Sequence, residues 1–565
     1  MRQLSRNAEI IIERYLAKDR RGKIIEGADG MFRRVARNVA LADKNNDWRK
    51  SEIKFYEAMS DLEFLPSIPV LANAGREMQQ LGACFVLPVP DELGGIFESV
   101  RQMALIQKSG GGTGFSFSRL RPEGSIVADT GGMASGPVSF MKVFDSATGA
   151  IKEGGIRRGA NMGILRVDHP DIEKFISSKR NGELQNFNIS VAITDDFMSA
   201  VRKNKDYIVI NPYTREKTKK NARFIFNLLC ENAHFNGDPG VIFIDRINKS
   251  NPIPKEKIEA TNPCSEVPLL PYECCVLGSI NLSSLVRFGR FDYKRFEKLI
   301  YLGVHFLDNC IDASKFPISQ ITKKVLENRK IGLGIMGFAD YLIKMRIPYN
   351  SKEAVMEAGR IGAFLQKKSF EASCELAKRR GSFPNIQNSI YKNKKIRNAT
   401  RTTIAPTGTI GIIAGASEGI EPLFNFIFQR HTNKADILEF NELFKHVAER
   451  QGLTNKELLD IAAKGSLKDS RLPREIKKIY VTAHDISLEN HVMIQAEFQK
   501  YIDNGISKTI NLPNKSKAND VKKAFLLAYE LGCKGISVYR DKSKKSQILN
   551  LCIKCEKDLD SLEHN

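Results

Sequence analysis

From residue 64 to about residue 541 the sequence alternates strand-sized apolar runs with longer helical stretches, a pattern that narrows the architecture more than any other feature. The runs cover residues 83–87, 115–117, 188–193, 207–210, 240–244 and 402–404. Short strands separated by helices point to an α/β fold with a partly parallel sheet. Glycine is frequent at the ends of these runs, where sharp turns and close approach of a ligand are expected. Residues 1–62 read as helical instead. Ile10, Ile11, Ile12 and Tyr15, then Met31, Phe32, Val35, Val39 and Leu41, fall on one helical face with polar residues between them. Residues 542–565 turn polar and Lys-rich and are expected to form a flexible tail.

A chain of 565 residues that is 42% hydrophobic and 27% charged can bury a large core and is not a disordered one. No run of ~18 apolar residues would cross a bilayer. The charged N-terminus lacks the apolar core of a secretory signal, so a cytoplasmic location is expected. Ten cysteines are too few for a disulfide scaffold in this length and would stay reduced there. The 87 Lys and Arg against 65 Asp and Glu, +22 in all, favour anionic partners. The basic runs at 217–220, 392–397 and 542–545 are short, scattered and without interleaved aromatics. A solvated lysine surface is therefore the plainer reading, and a basic nucleic-acid-binding protein the rival.

Thr261-Asn262-Pro263-Cys264-Ser265-Glu266, followed by Cys274-Cys275, is the densest cluster of reactive side chains. Pro263 fixes its own φ and restricts Asn262. In extended geometry Asn262, Cys264 and Glu266 would point to one side and converge on a ligand, with Glu266 as general base and Asn262 as a hydrogen-bond holder. A turn with a buried cysteine and a solvated glutamate accounts for the same pentapeptide. Pro406-Thr407-Gly408-Thr409-Ile410-Gly411 reads as a strand end turning into a helix, an anion cradle or a plain capped helix start. Ser109 to Gly114 is a second glycine-rich turn, without the features of a P-loop or a dinucleotide fingerprint. Cys552-Ile553-Lys554-Cys555 is a lone Cys-x-x-Cys and a poor zinc site. Cys230, Cys310, Cys374 and Cys533 are expected to pack as small hydrophobes.

Seven segments, in this order, make the sequence resemble the catalytic chain of ribonucleotide reductases, in particular the adenosylcobalamin-dependent class II enzymes. They are Leu81-Gly82-Ala83-Cys84-Phe85, Ser109-Gly110-Gly111-Gly112-Thr113-Gly114-Phe115, Arg157-Arg158-Gly159-Ala160-Asn161-Met162, the Asn-Pro-Cys-Ser-Glu loop, Arg401-Thr402-Thr403-Ile404-Ala405-Pro406-Thr407-Gly408-Thr409-Ile410-Gly411, Ser507-Lys508-Thr509-Ile510-Asn511-Leu512-Pro513 and Gly532-Cys533-Lys534-Gly535-Ile536-Ser537-Val538-Tyr539-Arg540-Asp541. The resemblance implies a ten-stranded α/β barrel of the radical-enzyme type over 63–541, two parallel half-barrels with Cys264 on a loop inside, between the helical segment 1–62 and the tail 542–565.

By the same resemblance the reaction is reduction of ribonucleotides, diphosphates by preference, to deoxyribonucleotides. Cys264 matches the cysteine that becomes a thiyl radical, Glu266 the base for the 3′-hydroxyl and Asn262 the amide that holds the sugar. Cys84 and Cys275 match the reducing pair, Cys275 being chosen over its neighbour Cys274 because the family's reducing cysteine lies eleven residues beyond the radical one. Ala83, Gly112, Pro263, Ser265 and the stretch Pro406, Thr407, Gly408, Thr409 and Ile410 match substrate contacts. The family's usual hydroxyl residue before a proline is replaced by Ile68, which puts that contact in doubt. Asp91, Arg121 and the loop carrying Lys152 and Arg157 match the site and relay for deoxynucleotide or ATP effectors. Cys552 and Cys555 match a tail pair recharged by a thioredoxin- or glutaredoxin-like protein, and a homodimer is implied. No Tyr-Tyr pair occurs, so adenosylcobalamin, with its cobalt, is the implied radical source, and a class I subunit needing a separate metal subunit is the alternative. No metal-ligand set is read from the chain itself; neither His484 nor His491 is taken as a cobalt ligand. The nucleic-acid rival makes its own prediction: affinity that falls steeply with log salt in a filter-binding titration and is indifferent to Cys264→Ser.

Overall fold

Two sets of five parallel strands meet antiparallel at both seams and so close into a ring. The computed structural model describes residues 2–43, 48–151, 159–431, 436–544 and 549–551. The first set is β1 (Cys84–Leu87), β2 (Gly112–Ser116), β3 (Asn161–Arg166), β4 (Phe187–Ile193) and β5 (Gly240–Phe243), each parallel to the next. The second is β6 (Cys274–Asn281), β7 (Ile331–Met336), the extended segment 402–404, β8 (Thr509–Leu512) and β9 (Gly535–Arg540). Single bridges, Leu333 to Thr402 and Ile404 to Ile506, carry the ring through 402–404. The seams are Cys275 opposite Cys84 and Gly535 opposite Ile242. This is the ten-stranded barrel that the sequence led us to expect.

Strand residues divide between two cores because successive side chains point to opposite faces. Phe85, Cys274, Leu333 and Ile335 pack outward beneath the helices. Cys84, Val86, Met162, Ile164 and Cys275 pack inward, around Ala260, Val267 and Leu269 of a hairpin that runs inside the ring. Both faces of β6 and β7 are buried, and β7 accordingly carries no polar side chain.

Among the described residues up to residue 62 there are three α-helices: α1 (Arg6–Ile12), α2 (Ala28–Ala40) and α3 (Trp48–Ser60). Met31, Phe32, Val35 and Val39 are buried as their spacing predicts. Ile10 and Leu41, read with the same face, are 40% and 55% exposed, Leu41 because it is the C-cap of α2 rather than part of its stripe. The run 207–210 also departs from expectation, since among the described residues Asp206–Ile210 pairs only with Lys217–Asn221, in a hairpin outside the barrel. The lysines at 217, 219 and 220 line that exposed edge, where charge discourages pairing with another chain. Within the expected tail, Leu549–Leu551 pairs antiparallel with residues 428–430 of Ile427–His431, while Cys552 and Cys555 lie outside the described residues. No helix among the described residues is long and apolar enough to cross a membrane.

The inner hairpin fits because the wall opposite it has no side chain. A Cβ added at Gly114 would lie 1.7 Å from the Thr261 carbonyl oxygen, and one at Gly112 would lie 3.0 Å from the Pro263 ring. Gly114→Ala is therefore expected to cost at least ~2 kcal/mol in urea unfolding, whereas Gly149→Ala, inside a helix and with its nearest neighbour at 3.7 Å, should be neutral or slightly stabilising.

Candidate active site

The catalytic candidates sit on the turn of the inner hairpin, whose arms Ala260–Thr261 and Pro268–Leu269 pair antiparallel. The turn is not the extended segment expected from sequence. Ser265 takes a left-handed φ of 64°, and its N–H donates to the Asn262 carbonyl at 3.0 Å. Asn262 N–H donates to the Val267 carbonyl at 3.2 Å, and Val267 N–H to Asn262 Oδ1 at 2.9 Å. The asparagine side chain thus closes the turn, a role that competes with strand formation in short polar residues. Asn262 and Glu266 come together because the chain folds back, not because alternate residues share a face. Three donors from the barrel hold the turn: Asn188 Nδ2 on the Pro263 carbonyl at 2.9 Å, and Thr403 Oγ1 and Gly505 N–H on the Glu266 carbonyl, each at 2.8 Å.

Asn262 and Glu266 converge on Cys84. Asn262 Nδ2 donates to its Sγ at 3.1 Å, and the Sγ lies 4.0 Å from Glu266 Oε1. Cys84 is directly opposite Cys275 across the antiparallel seam. Residues so placed have Cα atoms ~4.5–5.5 Å apart, inside the ~4.4–6.8 Å range of disulfides. Cys274 points the other way, packing with Phe85 so tightly that a Cβ at Gly82 would meet its Sγ at 2.1 Å. Burial pushes the Cys84 thiol well up, and the charge of Glu266 adds to it. Burial, then Glu266, does the same to Cys275 against the opposing pull of Lys330, so both sulfurs are protonated at neutral pH. Lys330 is itself buried, on Glu273 at 2.5 Å.

Cys264 is half-buried and opens onto a cavity of about 240 Å³ whose wall includes Asn188, Ser190, Ser507, Ser537 and Lys508. The Lys508 ammonium is held by Glu421 Oε2 at 2.6 Å and His491 Nδ1 at 3.1 Å. The other ring nitrogen of His491 donates to the Ala483 carbonyl at 3.1 Å, and burial, then Lys508, pushes its pKa well down. Both nitrogens are engaged, so the ring is a fixed neutral acceptor.

The remaining expected residues fall as follows. Ala83 lies buried beside Cys84, and Gly112 faces Pro263. Pro406 and Thr407 lead into the helix Gly408–Ala414, which holds Thr409 and Ile410 in its first turn. The Thr407 hydroxyl accepts from Gly419 N–H at 2.8 Å, so it serves the turn itself. The Glu418 carboxylate stands 3.5 Å from where a Cβ of Gly408 would be, and a carboxylate suits the positive end of a helix. Ile68 is buried at the start of Ile68–Asn73, and Ser67 before it has a buried hydroxyl with no hydrogen-bond partner among the described residues. Asp91 takes both the backbone N–H of Arg121 at 3.0 Å and its Nε at 2.9 Å, and the guanidinium stacks 4.2 Å from the centre of the Tyr213 ring. Lys152 and Arg157 lie outside the described residues. Cys230, Cys310 and Cys533 are buried as expected, while Cys374 is only partly covered. Sequence reading missed Asn188, Thr403, Glu421, Lys508 and Tyr213. Thr403 and Lys508 lay unremarked inside quoted motifs; the others carry no local signal.

Residues 82–396 and 392–539 match the family profile described as ribonucleotide reductase, barrel domain, and residues 7–79 match its all-alpha domain. The vitamin B12-dependent ribonucleoside-diphosphate reductase of Thermoplasma acidophilum is 46% identical over 97% of this chain and 80% of its own length. That of Mycobacterium tuberculosis (strain CDC 1551 / Oshkosh) is 42% identical over 96% of this chain and 80% of its own. Among solved structures, the Actinobacillus ureae class Id ribonucleotide reductase alpha subunit superposes with a TM-score of 0.79 at 24% identity, covering 95% of this chain and 97% of that one, a likeness of fold alone.

The seam geometry makes a redox prediction that does not depend on activity. Mild oxidation of the folded protein should link Cys84 to Cys275 in peptide mass maps, and Cys274→Ser should leave that link intact. A Cys84–Cys274 bridge as the main product would contradict the assignment of faces.

Proposed function

The chain belongs to the ribonucleotide reductase family, and on that premise we propose that it reduces ribonucleoside diphosphates to 2′-deoxyribonucleoside diphosphates, with adenosylcobalamin as the radical source. The observation that carries this reading is the convergence of Asn262 and Glu266 on a cross-strand thiol pair, with Cys264 on the same turn. The printed names of the Thermoplasma and Mycobacterium relatives support both the cofactor and the diphosphate substrate.

The residues beside Cys264 fit one end of such a cofactor. A cavity of about 240 Å³ is smaller than sites that engulf a whole ligand, typically ~300–1,000 Å³, but it accepts a nucleoside-sized group. Its polar wall, Asn188, Ser190, Ser507 and Ser537, would hold the sugar and base of the adenosyl end. When bound, the cofactor supplies a carbon radical by homolysis of its cobalt–carbon bond.

The chain's own residues then divide the work. Cys264, as a thiyl radical, takes the hydrogen atom from C3′ of the ribose. Glu266 receives the 3′-hydroxyl proton while Asn262 holds the sugar. The 2′-hydroxyl leaves as water with a proton from the Cys84–Cys275 pair, whose elevated pKa keeps it in the proton-bearing form. That pair surrenders two electrons and becomes a disulfide, its second hydrogen going to C2′, while Glu266 returns its proton to the 3′ oxygen and Cys264 its hydrogen atom to C3′. The balance is ribonucleotide plus dithiol to deoxyribonucleotide, disulfide and water. Ala83, Gly112, Pro263 and Ser265 would line the substrate, with its phosphates at Pro406, Thr407, Gly408, Thr409 and Ile410. Asp91 and Arg121 would serve a deoxynucleotide effector, with a coupling of ~1–3 kcal/mol to substrate choice. A thioredoxin-like reductant acting through Cys552 and Cys555, a homodimer and a cytoplasmic location complete the reading.

Rapid-freeze spin resonance with adenosylcobalamin, substrate and effector tests it. A thiyl signal is expected, absent in Cys264→Ala, with turnover down at least ~10⁴-fold. Turnover that ignores adenosylcobalamin and requires a separate iron or manganese subunit would move the chain to class I.

A further inference from the structure

Away from the barrel interior, a cavity of about 390 Å³ opens between residues 348–351 and 467–485. Its floor is apolar, made by buried Leu467 with Pro348, Tyr480 and Val481. Four cations border it, Lys468, Arg474, Lys477 and Lys478, against one acid, Asp485. That acid is already engaged: it accepts from Ser466 Oγ at 2.8 Å and Thr482 N–H at 3.1 Å, and pairs with Lys468 at 3.0 Å. Lys478 pairs with Glu475 at 3.2 Å. Lys477 Nζ donates only to the Lys468 carbonyl, at 3.1 Å, so neither it nor Arg474 has an acidic partner among the described residues.

Arg474, Lys477 and Lys478 stand at i, i+3 and i+4 on the short helix Arg474–Ile479, where like charges face one another and destabilise the turn. These cations stand over an apolar hollow, a combination that matches an amphipathic anion. The volume lies within the ~300–1,000 Å³ typical of small-molecule sites. A planar guanidinium beside an ammonium matches a phosphate, which carries close to two negative charges and accepts bidentate hydrogen bonds. The Leu467–Tyr480–Val481 floor matches a flat ring.

We propose that this cavity is a second ligand site, binding a small aromatic phosphate ester with its ring on Leu467, Tyr480 and Val481 and its phosphate on Arg474 and Lys477. The site shares no residue with the catalytic cavity, and the inference stands apart from the reductase reading. Photolabelling of the full chain with 8-azidoadenosine triphosphate, followed by peptide mass mapping, tests it without reference to turnover. Label is expected within residues 465–485, reduced about tenfold or more in Arg474→Ala/Lys477→Ala and unchanged in Lys142→Ala, an exposed cation elsewhere. Arg474 is exposed and Lys477 only partly covered, so the double variant should fold, with an unchanged circular-dichroism spectrum and melting temperature. ATP should protect the peptide better than equimolar tripolyphosphate, which lacks the ring. Label confined to other peptides, label undiminished in the double variant, or equal protection by tripolyphosphate would overturn the proposal.

Discussion

Everything in the active region depends on a polar turn held inside an apolar barrel by three hydrogen bonds to two of its buried carbonyls. The carbonyls of Pro263 and Glu266 would be costly to bury alone, by about 1–3 kcal/mol each. Asn188, Thr403 and Gly505 meet them from the wall, with Asn188 in the first half-barrel and the other two in or beside the second. The turn is therefore clamped between half-barrels rather than carried by either. Glycines 112 and 114 make the approach sterically feasible, while the donors fix its orientation. A site placed on rigid strands and locked by its supporting shell holds reactive atoms more closely than a surface loop would.

The same enclosure sets the electrostatics. A barrel interior disfavours charge, so the thiols of Cys84 and Cys275 stay protonated beside the Glu266 carboxylate. Two buried ammonium groups there are paired, Lys330 with Glu273 and Lys508 with Glu421. The Lys508 pair ties β8 to the segment around residue 421, since Glu421 also accepts from Thr509 N–H at 2.6 Å. His491 completes that tie. Its burial and its two engaged nitrogens account for a histidine near the cavity without assigning it to a metal.

The barrel was legible because strand-sized runs and helices alternate, and because whole motifs resembled a family; periodicity alone does not close a ring. The segment 402–404 shows the limit in one direction: it reads as a strand but joins its neighbours through single bridges. Residues 207–210 show it in the other, since nothing in an apolar run distinguishes a barrel strand from a peripheral hairpin. Strand β2 begins at Gly112, three residues before the apolar run that announced it, because glycines carry no hydrophobic signal. In the site, the residue types were readable but their geometry was not. Extended alternation and a folded-back turn both bring Asn262 and Glu266 together, and only the left-handed Ser265 decides between them. Asn188 could not be found at all: one polar residue in an apolar strand is as often a surface position as a clamp. The pairing of Cys84 with Cys275 spans the whole first half-barrel in sequence and came from resemblance; the seam supplies its physical basis.

That seam has a consequence for how the molecule experiences its own chemistry. Sulfurs on facing positions of neighbouring strands can join and part by side-chain rotation, with the ladder around them unaltered. Oxidised and reduced forms would then share one backbone, and nothing at the surface would announce which is present. If the pair cycles as proposed, such a barrel would keep no mechanical record of its redox state, and a reductant would have to come to the sulfurs rather than wait for a signal from them.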